Sequence, residues 1–281
     1  MSELAPTPKV TALTVAGSDP SGGAGLQADL RAFDALGVHG ASVVTLITAQ
    51  GTRGVRKVDA LRPELVRAQL AAVLADMAPR AVKTGALGTA GCVEIIADAL
   101  RERPTLPLVI DPVINPTVGR SLLDESGFAA FVRDLLPLAA LVTPNRVEAA
   151  RIAGAVVRSA KQARAACESI AALGAKAVLL KGGHFEGDDS VDLFFDGERF
   201  TELRAPRLKV PAMHGLGCTL SALITGHLAR GEALADAVRL GHATIHRALH
   251  APRSVGEGLC VLGDLRAAAQ EAAAPAPDET A

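Results

Sequence analysis

Residues 210–223 read VPAMHGLGCTLSAL, and the rest of the chain can be understood in relation to this stretch. Gly215 and Gly217 come directly before an apolar run, residues 218–230, that has the spacing of a helix. Because glycine has no Cβ, a glycine pair at a helix start lets backbone N–H groups face a ligand, and the helix dipole favours an anion there. The stretch therefore predicts a site for negative charge.

Cys218 is predicted to stand at the first position of this helix. A helix start lowers the pKa of a thiol toward neutrality, so Cys218 is a candidate base. A loop that caps a core helix and happens to hold a buried cysteine would show the same letters. Both interpretations stay open from these residues alone.

The composition limits the classes of protein to which the chain can belong. It has 281 residues, 49% of them hydrophobic and 21% charged, with a net charge of -1. This length suits one large α/β domain, and the near-neutral charge gives no reason to expect a nucleic acid or an anionic membrane as partner. There is no Trp or Tyr, so platforms for stacking bases are not expected, and a core of Val, Leu, Ile and Ala suits a buried parallel sheet.

The four cysteines form no CxxC pair, which argues against a metal knuckle and against a disulfide framework. The sequence shows no signal peptide and no apolar run of bilayer length. We therefore expect a cytoplasmic protein with no membrane partner.

A strand, a polar turn and a helix follow one another about six times. The first unit is a strand at residues 10–16, the turn GSDPSGGAG at 17–25 and a helix at about 26–36; this turn matches neither the dinucleotide-binding fingerprint nor the Walker A spacing. The alternation predicts a three-layer α/β/α fold with a central, mostly parallel sheet. Residues 190–203 add a small β-hairpin that turns at Asp196-Gly197. We expect a loose leader at 1–9, a single domain at 10–266 and a disordered tail at 267–281.

Polar residues stand at the carboxyl ends of the predicted strands, where open α/β sheets bind ligands. They are Gln50, Lys83, Asp111, Asn145 and Lys181. Helix capping explains Asp111 or Asn145 singly, but it explains the whole set poorly. The set therefore predicts a ligand site along one edge of the sheet.

Three histidines lie four residues apart on the last predicted helix, residues 234–250. They are His242, His246 and His250. Such a stripe could bind a metal, but no nearby acid completes a site, so a solvated face or a subunit contact is the better interpretation.

Seven motifs together resemble the hydroxymethylpyrimidine and phosphomethylpyrimidine kinases of thiamin biosynthesis, which belong to the ribokinase-like superfamily. In chain order they are residues 16–40 (AGSDPSGGAGLQADLRAFDALGVHG), 48–52 (TAQGT), 83–88 (KTGALG), 109–113 (VIDPV), 143–149 (TPNRVEA), 181–184 (KGGH) and 214–222 (HGLGCTLSA). The resemblance implies a phosphotransferase that uses ATP and Mg²⁺ to phosphorylate the hydroxyl group of an aminopyrimidine and then its monophosphate. We also expect a homodimer.

The resemblance assigns roles to residues of this chain. Asp29 and Gln50 would hydrogen-bond the aminopyrimidine, with Gly17 and Ala24 close to its ring. Asp111 and Glu148 would place magnesium, while Asn145, Lys181 and Thr219 would lie along the nucleotide. The backbone amides of Gly215, Leu216, Gly217 and Cys218 would form the anion hole, and Cys218 would be the base. Gln50 suits its role because one amide offers a donor and an acceptor side by side.

The chain departs from the pattern of this family at Leu216, where threonine is usual, and at Thr117 and His242, where lysine is common. The second phosphorylation is therefore expected to be the weaker one. Two alternatives stay open: a pyridoxal or pyridoxine kinase, and a pyrimidine-binding protein with weakened catalysis.

Overall fold

The computed structural model describes residues 9–114, 122–182 and 188–274. A sheet of nine strands runs through this part of the chain, in the order β3-β2-β1-β4-β5-β6-β7-β8-β9. The strands are β1 Thr11–Ser18, β2 His39–Gly51, β3 Gly54–Ala60, β4 Ala81–Thr84, β5 Leu108–Ile110, β6 Leu141–Val142, β7 Val178–Leu180, β8 Asp189–Phe195 and β9 Phe200–Pro206. The pairs from β2 to β7 are parallel, whereas β3, β8 and β9 pair antiparallel at the two edges.

Helices cover both faces of the sheet. They are α1 Gly25–Ala35, α2 Pro63–Asp76, α3 Ala90–Arg101, α4 Glu125–Ala130, α5 Arg146–Ala153, α6 Ala160–Ala172, α7 Leu216–Arg230, α8 Leu234–Ala248 and α9 Leu265–Ala273. Leu13 and Val15 of β1 pack with α2 and α3 on one face, and Ala12 packs with α1, α7 and α9 on the other. Such alternation along a strand buried on both faces requires three layers, so the predicted α/β/α fold is confirmed.

The core extends along the whole parallel part of the sheet. Residues of β5, β6 and β7 pack against α7 and α8, as shown by the cluster of Val109, Leu141, Leu179, Ile224 and Val238. These side chains are fully buried. The carboxyl ends of the parallel strands are held in line by this packing, and that edge carries the functional residues described below.

Several elements differ from the prediction. Between β5 and β6 the alternation predicts one continuous helix, but the structure has α4 followed by a π-helical turn, Phe131–Leu135. The helix after the glycine pair begins at Leu216, so Cys218 is its third residue and not its first. Strand β3 was not predicted, and the edge position of this largely exposed strand explains its polar sequence GVRKVDA.

The predicted disordered tail is wrong for residues 267–273, which belong to α9. Leu265, Ala268, Ala269 and Ala272 of this helix are buried. Ala269 packs against Ala32 and Phe33 of α1, and the apolar face of the helix is therefore stabilised by tertiary contacts. Within the described ranges, no helix has the length and apolarity needed to cross a membrane.

Candidate active site

The loops that follow the parallel strands surround one cavity of about 540 Å³. The loop before α7 and the start of that helix close its side. Nearly all the residues predicted for the site line this cavity. They are Gly17, Ala24, Gln50, Lys83, Asp111, Asn145, Glu148, Lys181, Gly215, Leu216, Gly217 and Cys218.

Close contact between two glycine-containing loops shapes one side of the cavity. Gly215 has a φ of +77°, and a Cβ at this position would overlap the carbonyl oxygen of Gly23. Gly23 in turn packs against the ring of His214, and a Cβ there would meet that ring as well. Gly215 is therefore required both for its left-handed conformation and for the close approach of the two backbones.

The first turn of α7 opens into the cavity with its backbone N–H groups. Gly215 is the N-cap residue, and it supplies no side-chain cap to the amides of Leu216, Gly217 and Cys218. A Cβ at Gly217 would lie 2.9 Å from the Nζ atom of Lys181, so this ammonium group lies directly against the turn. Amides without a side-chain cap from the described residues, the helix dipole and an ammonium group together form a site for an anion.

Lys181 and Asn145 lie side by side, in a parallel bridge just beyond β6 and β7. The Nζ atom of Lys181 donates to Oδ1 of Asp111 at 3.0 Å. Burial disfavours the charge of Asp111, but Lys181 and Lys83 outweigh it and keep the pKa of this carboxyl below its ordinary value. Asp111 is therefore an anion at the floor of the cavity.

Glu148 is the second carboxyl group at this floor, and burial raises its pKa to about 7. Its Oε2 accepts from the backbone N–H of Asn145 at 2.9 Å, while Oδ1 of Asn145 accepts from the backbone N–H groups of Val147 and Glu148. This capping box fixes both side chains at the start of α5. The oxygen of Asn145 is thus used by the helix, and its amide nitrogen is the atom left for a ligand.

Cys218 is half-buried in the wall of the cavity, and its thiol donates a hydrogen bond to Asp111. Burial raises the pKa of this thiol to about 12, with Lys83 acting in the opposite direction. The prediction that the helix start lowers the pKa toward neutrality is therefore wrong. Desolvation and the neighbouring carboxylates of Asp111 and Asp29 exceed the effect of the helix dipole.

Two of the predicted residues do not line the cavity. Asp29 is fully buried behind Lys83, and its Oδ2 accepts from Lys83 Nζ at 2.8 Å and from Thr14 Oγ1 at 2.6 Å. Burial opposes the charge of Lys83, but Asp29 outweighs it and raises the pKa of the ammonium group. Thr219 is also buried, one residue further into α7. Direct contact of either side chain with a ligand stays a prediction, and for Asp29 it requires that Lys83 move aside.

The histidine stripe of α8 is not simply a solvated face. His242 and His246 line the cavity, and His246 Nε2 donates to the carbonyl oxygen of Pro206 at 2.8 Å. Burial lowers the pKa of His242, although Asp192 acts in the opposite direction. The sequence could not show this contact, because Pro206 and Asp192 belong to the β8–β9 hairpin, and Pro206 is 40 residues from His246 along the chain.

The analysis of motifs also missed Asp19 and His214, which line the same cavity and contact each other. The acidic residue inside the glycine-rich turn at 17–25 was the feature of the sequence that could have indicated Asp19 as a site residue.

Among the residues that the structure describes, no group of three His, Cys, Asp or Glu side chains could hold a metal ion.

The fold has three layers, with helices on both faces of a mostly parallel sheet, and a cavity with an anion site lies at the carboxyl edge of that sheet. This architecture is typical of the ribokinase-like kinases. Solved structures of this class superpose on the chain. The pyridoxal kinase from Staphylococcus aureus in complex with AMP-PCP and pyridoxal is 32% identical, with a TM-score of 0.82 over 92% of this chain and 94% of that one. The phosphomethylpyrimidine kinase from Clostridium difficile 630 is 39% identical, with a TM-score of 0.75 over 84% and 98%.

Sequence comparison identifies the family within this class. The phosphomethylpyrimidine kinase family model matches residues 19–262. A hydroxymethylpyrimidine/phosphomethylpyrimidine kinase of Rhizobium meliloti is 47% identical over 251 residues, which cover 88% of this chain and 94% of the relative. The chain belongs to the phosphomethylpyrimidine kinase family, as its motifs predicted, and it is a phosphotransferase.

Proposed function

We propose that the protein transfers the γ-phosphoryl group of ATP to the hydroxyl group of 4-amino-5-hydroxymethyl-2-methylpyrimidine, and that it then phosphorylates the monophosphate. The observation that carries this proposal is the cavity itself. It brings Gln50, which can pair with an aminopyrimidine, into one space with Lys181 and the amides at the start of α7.

Gln50 defines the acceptor end of the cavity. Its amide is half-buried at the end of β2, and Gly17 and Ala24 lie at the same end without bulky side chains. The amide can donate to a ring nitrogen and accept from the neighbouring amino group of one flat ring. A Cβ at Gly17 would lie 2.5 Å from Leu46, so this part of the wall cannot carry a larger residue without rearrangement.

Lys181 and the amides of Gly215–Cys218 define the phosphate end. Phosphoryl transfer requires mainly positioning and neutralisation of charge, because the transition state involves little covalent chemistry from the protein. Lys181 is held by Asp111 at 3.0 Å and lies against Gly217, so its charge and the amides converge on one point. Developing negative charge on the transferred group would be stabilised there.

Asp111 and Glu148 are the residues that would hold Mg²⁺. Both are buried carboxyl groups at the cavity floor, and Mg²⁺ is bound in kinases by one or two carboxylates together with water and phosphate oxygens. The oxygen donor set therefore fits this ion even without a third protein ligand. When bound, Mg²⁺ would neutralise phosphate charge and favour the ionised form of Glu148.

Cys218 is proposed as the group that receives the hydroxyl proton. Its raised pKa means that the free enzyme carries a thiol at neutral pH, so only a small thiolate fraction can act as base. Lys83 stabilises that fraction from the cavity wall. Because electrostatic stabilisation is usually the larger contribution, turnover does not depend on a fully ionised base.

Pyridoxal phosphorylation is the second candidate activity. The Staphylococcus aureus pyridoxal kinase superposes with the higher TM-score, 0.82 against 0.75, although the Clostridium difficile phosphomethylpyrimidine kinase shares more identical residues. A homodimer and a cytoplasmic location stay predictions from the sequence.

The decisive experiment is incubation of the protein with Mg-ATP and the hydroxymethylpyrimidine or pyridoxal in parallel, with mass detection of the products. We expect the pyrimidine monophosphate to form first, and the diphosphate more slowly. Phosphorylation of pyridoxal alone would support the second candidate. Binding of the pyrimidine in calorimetry without any product at high enzyme concentration would support a protein that has lost catalysis.

A further inference from the structure

Three side chains at the acceptor end of the cavity form a continuous chain of polar contacts. Nε2 of His214 lies 2.9 Å from Oδ2 of Asp19 and also 2.9 Å from Nε2 of the Gln50 side-chain amide. All three residues line the cavity. One ring nitrogen therefore contacts both a carboxylate and the amide that is proposed to recognise the pyrimidine.

Asp19 fixes the hydrogen on this ring nitrogen. Burial opposes the charge of Asp19, but His214, Ser21 and the backbone N–H groups of Ser21 and Ala24 outweigh it and lower its pKa to about 2. The carboxylate is therefore an acceptor at any working pH. Since two acceptors cannot share a hydrogen bond, Nε2 of His214 must carry a hydrogen and donate it to Asp19.

The state of His214 in turn fixes the orientation of Gln50. An Nε2–H group can donate but cannot accept, so the Gln50 amide must present its oxygen to the ring. The structure places Nε2 of Gln50 against the ring and Oε1 beside Thr48. Because the two ends of an amide are assigned from their hydrogen-bond partners, and the partners here require oxygen against the ring, the amide is turned by 180° from that placement. The amide nitrogen then lies beside Oγ1 of Thr48, where the second amide atom is 3.3 Å away. Thr48 donates its own hydrogen to the carbonyl oxygen of Ser18 at 2.9 Å, so its hydroxyl oxygen is free to accept.

This arrangement leaves Gln50 with one lone pair on its oxygen and one hydrogen on its nitrogen, next to each other. We propose that Asp19 and His214 are positioning residues that fix the polarity of the Gln50 amide, so that the site selects a flat ring with an amino donor beside a ring-nitrogen acceptor. This proposal rests on the proposed function, in which Gln50 contacts the aminopyrimidine. With such a ring in place, all four hydrogen-bonding positions of the amide would be used, with the Nε2 hydrogen of His214 shared between Asp19 and the Gln50 oxygen.

The same arrangement disfavours rings without the amino group. Such a ring leaves the lone pair of Gln50 unpaired in a partly buried site, and sites built to hydrogen-bond a substrate group reject analogues that lack it. If the amide could rotate freely, it could present either its oxygen or its nitrogen to a ring substituent, and it would then bind an amino group and a hydroxyl group about equally well. Specificity therefore depends on Asp19 and His214, which need not touch the ring.

The test is an Asp19→Asn variant, because asparagine keeps the size of the side chain but can place a donor against His214. We expect the preference for the hydroxymethylpyrimidine over the same ring without its 4-amino group, measured as the ratio of kcat/KM values, to fall about tenfold or more. The change should lie mainly in KM for the pyrimidine, with KM for ATP little changed. An unchanged ratio would overturn the proposal.

Two further variants separate positioning from loosening of the glycine-rich turn. Gln27 supports the same turn by accepting from the backbone N–H of Asp19 at 2.9 Å and donating to Ser18 Oγ at 2.8 Å, but it does not contact His214. Gln27→Ala should therefore keep the substrate preference, and an equal loss there would overturn the proposal. His214→Gln, which can donate to both Asp19 and Gln50, should retain more of the preference than His214→Leu.

A measurement on the wild-type protein does not depend on the folding of any variant. The ¹⁵N chemical shifts of the His214 imidazole should show a hydrogen on Nε2 in the free protein, and a ring that carries hydrogen only on Nδ1 would overturn the proposal. Failure of the proposed function is recognised separately. In that case the wild-type protein does not phosphorylate the hydroxymethylpyrimidine, whatever the tautomer of His214.

Discussion

At Cys218 two effects act on the same thiol. The start of α7 favours the thiolate, whereas burial beside Asp111 disfavours it, and burial has the larger effect, with a pKa of about 12. A helix start is therefore not sufficient evidence for an activated cysteine. The depth of the side chain in the cavity decides the outcome.

We expect the part of turnover that depends on Cys218 to rise about tenfold for each pH unit through the neutral range, because the thiolate fraction rises by that factor below the pKa. Cys218→Ala should lower kcat by about 10²- to 10⁴-fold and remove this slope, as measured by pH–rate profiles at saturating substrate. Binding of nucleotide should persist, since the anion site is made of backbone amides and Lys181, which the substitution leaves in place. A variant with near-full kcat would exclude Cys218 as the base.

Alkylation gives an independent measurement of the same pKa. Burial also raises the pKa of Cys167 to about 12. Both thiols should react slowly with iodoacetamide at neutral pH, with Cys218 the faster because it lines the cavity. Rapid modification of Cys218 alone would contradict the raised pKa.

His227 has a different consequence, for stability and not for catalysis. It is buried in α7, and neither ring nitrogen has a hydrogen-bond partner among the described residues. Burial lowers its pKa to about 4, from 6.5 in an exposed histidine. Between these values the unfolded chain binds the proton and the folded one does not, so stability falls as pH falls, by up to about 3 kcal/mol.

The variant His227→Leu should therefore flatten the pH dependence of unfolding between about pH 6.5 and pH 4. Urea unfolding at several pH values measures this. His250→Leu is the matched control, because His250 is an exposed residue just beyond the end of α8 and its replacement should leave the slope unchanged. Equal slopes for His227→Leu and the wild-type protein would show that another group controls acid stability.

At the scale of elements, the tip of the β2–β3 hairpin is attached to the loop before α9. Thr52 accepts from Leu259 N at 2.8 Å through its carbonyl oxygen and from Gly258 N at 3.2 Å through its hydroxyl. Arg53 and Glu257 form an exposed ion pair beside them, a type of contact that contributes little to stability. Because Gln50 precedes this tip by two residues, the attachment also positions the acceptor end of the cavity.

Gly258→Ala tests this attachment. A Cβ there would overlap the carbonyl oxygen of Thr52, so the loop or the hairpin tip must move. We expect KM for the pyrimidine to rise several-fold while KM for ATP stays the same, measured by steady-state kinetics. Gly51→Ala is the matched control, since a Cβ there meets open space, and a similar effect of both variants would contradict the explanation.

The elements differ in how far their sequences predict them. Strands β5 and β7 could be recognised because both of their faces are buried, which leaves continuous apolar runs. Strand β3 could not, since an exposed edge strand carries charges, and α9 could not, since its buried face is mostly alanine. For both elements, tertiary contact supplies the stability that the local pattern lacks.

The same distinction applies to the site. Residues at the ends of parallel strands, such as Gln50, Asp111 and Lys181, meet in one cavity as predicted, because those ends lie on one edge of the sheet. The burial of Asp29 and Thr219 depends instead on which faces of α1 and α7 pack against the sheet, and the sequence does not give this rotation. The contact between Asp19 and His214 joins residues 195 positions apart, which no local pattern shows.

At the scale of the whole molecule, the balance of charge in the cavity bears on the second phosphorylation. The monophosphate brings an additional anion, and burial lowers the pKa of His242 so that it is neutral at pH 7. The lysine expected at Thr117 is also replaced, at a position outside the described residues. We expect the monophosphate to be the slower substrate.

His242→Lys and Thr117→Lys should then raise kcat/KM for the monophosphate, by up to about tenfold each, because a charge-assisted contact is worth about 1.5–3 kcal/mol. The kcat/KM for the unphosphorylated hydroxymethylpyrimidine should rise much less. Turnover of both substrates by the two variants measures the difference. Equal gains on both substrates, or none, would argue against a deficit of positive charge.

The order of the strands also has a consequence for synthesis of the protein. Apart from β1 to β3, the strands join the sheet in the order in which a ribosome would release them, from β4 to β9. The helices α7, α8 and α9, which cover one apolar face of β1, β4 and β5, come last. A nascent chain that ends before α7 therefore exposes that face to water and lacks the amides of the anion site. Such a chain would be a client for chaperones, and activity should appear only when the last helices have docked.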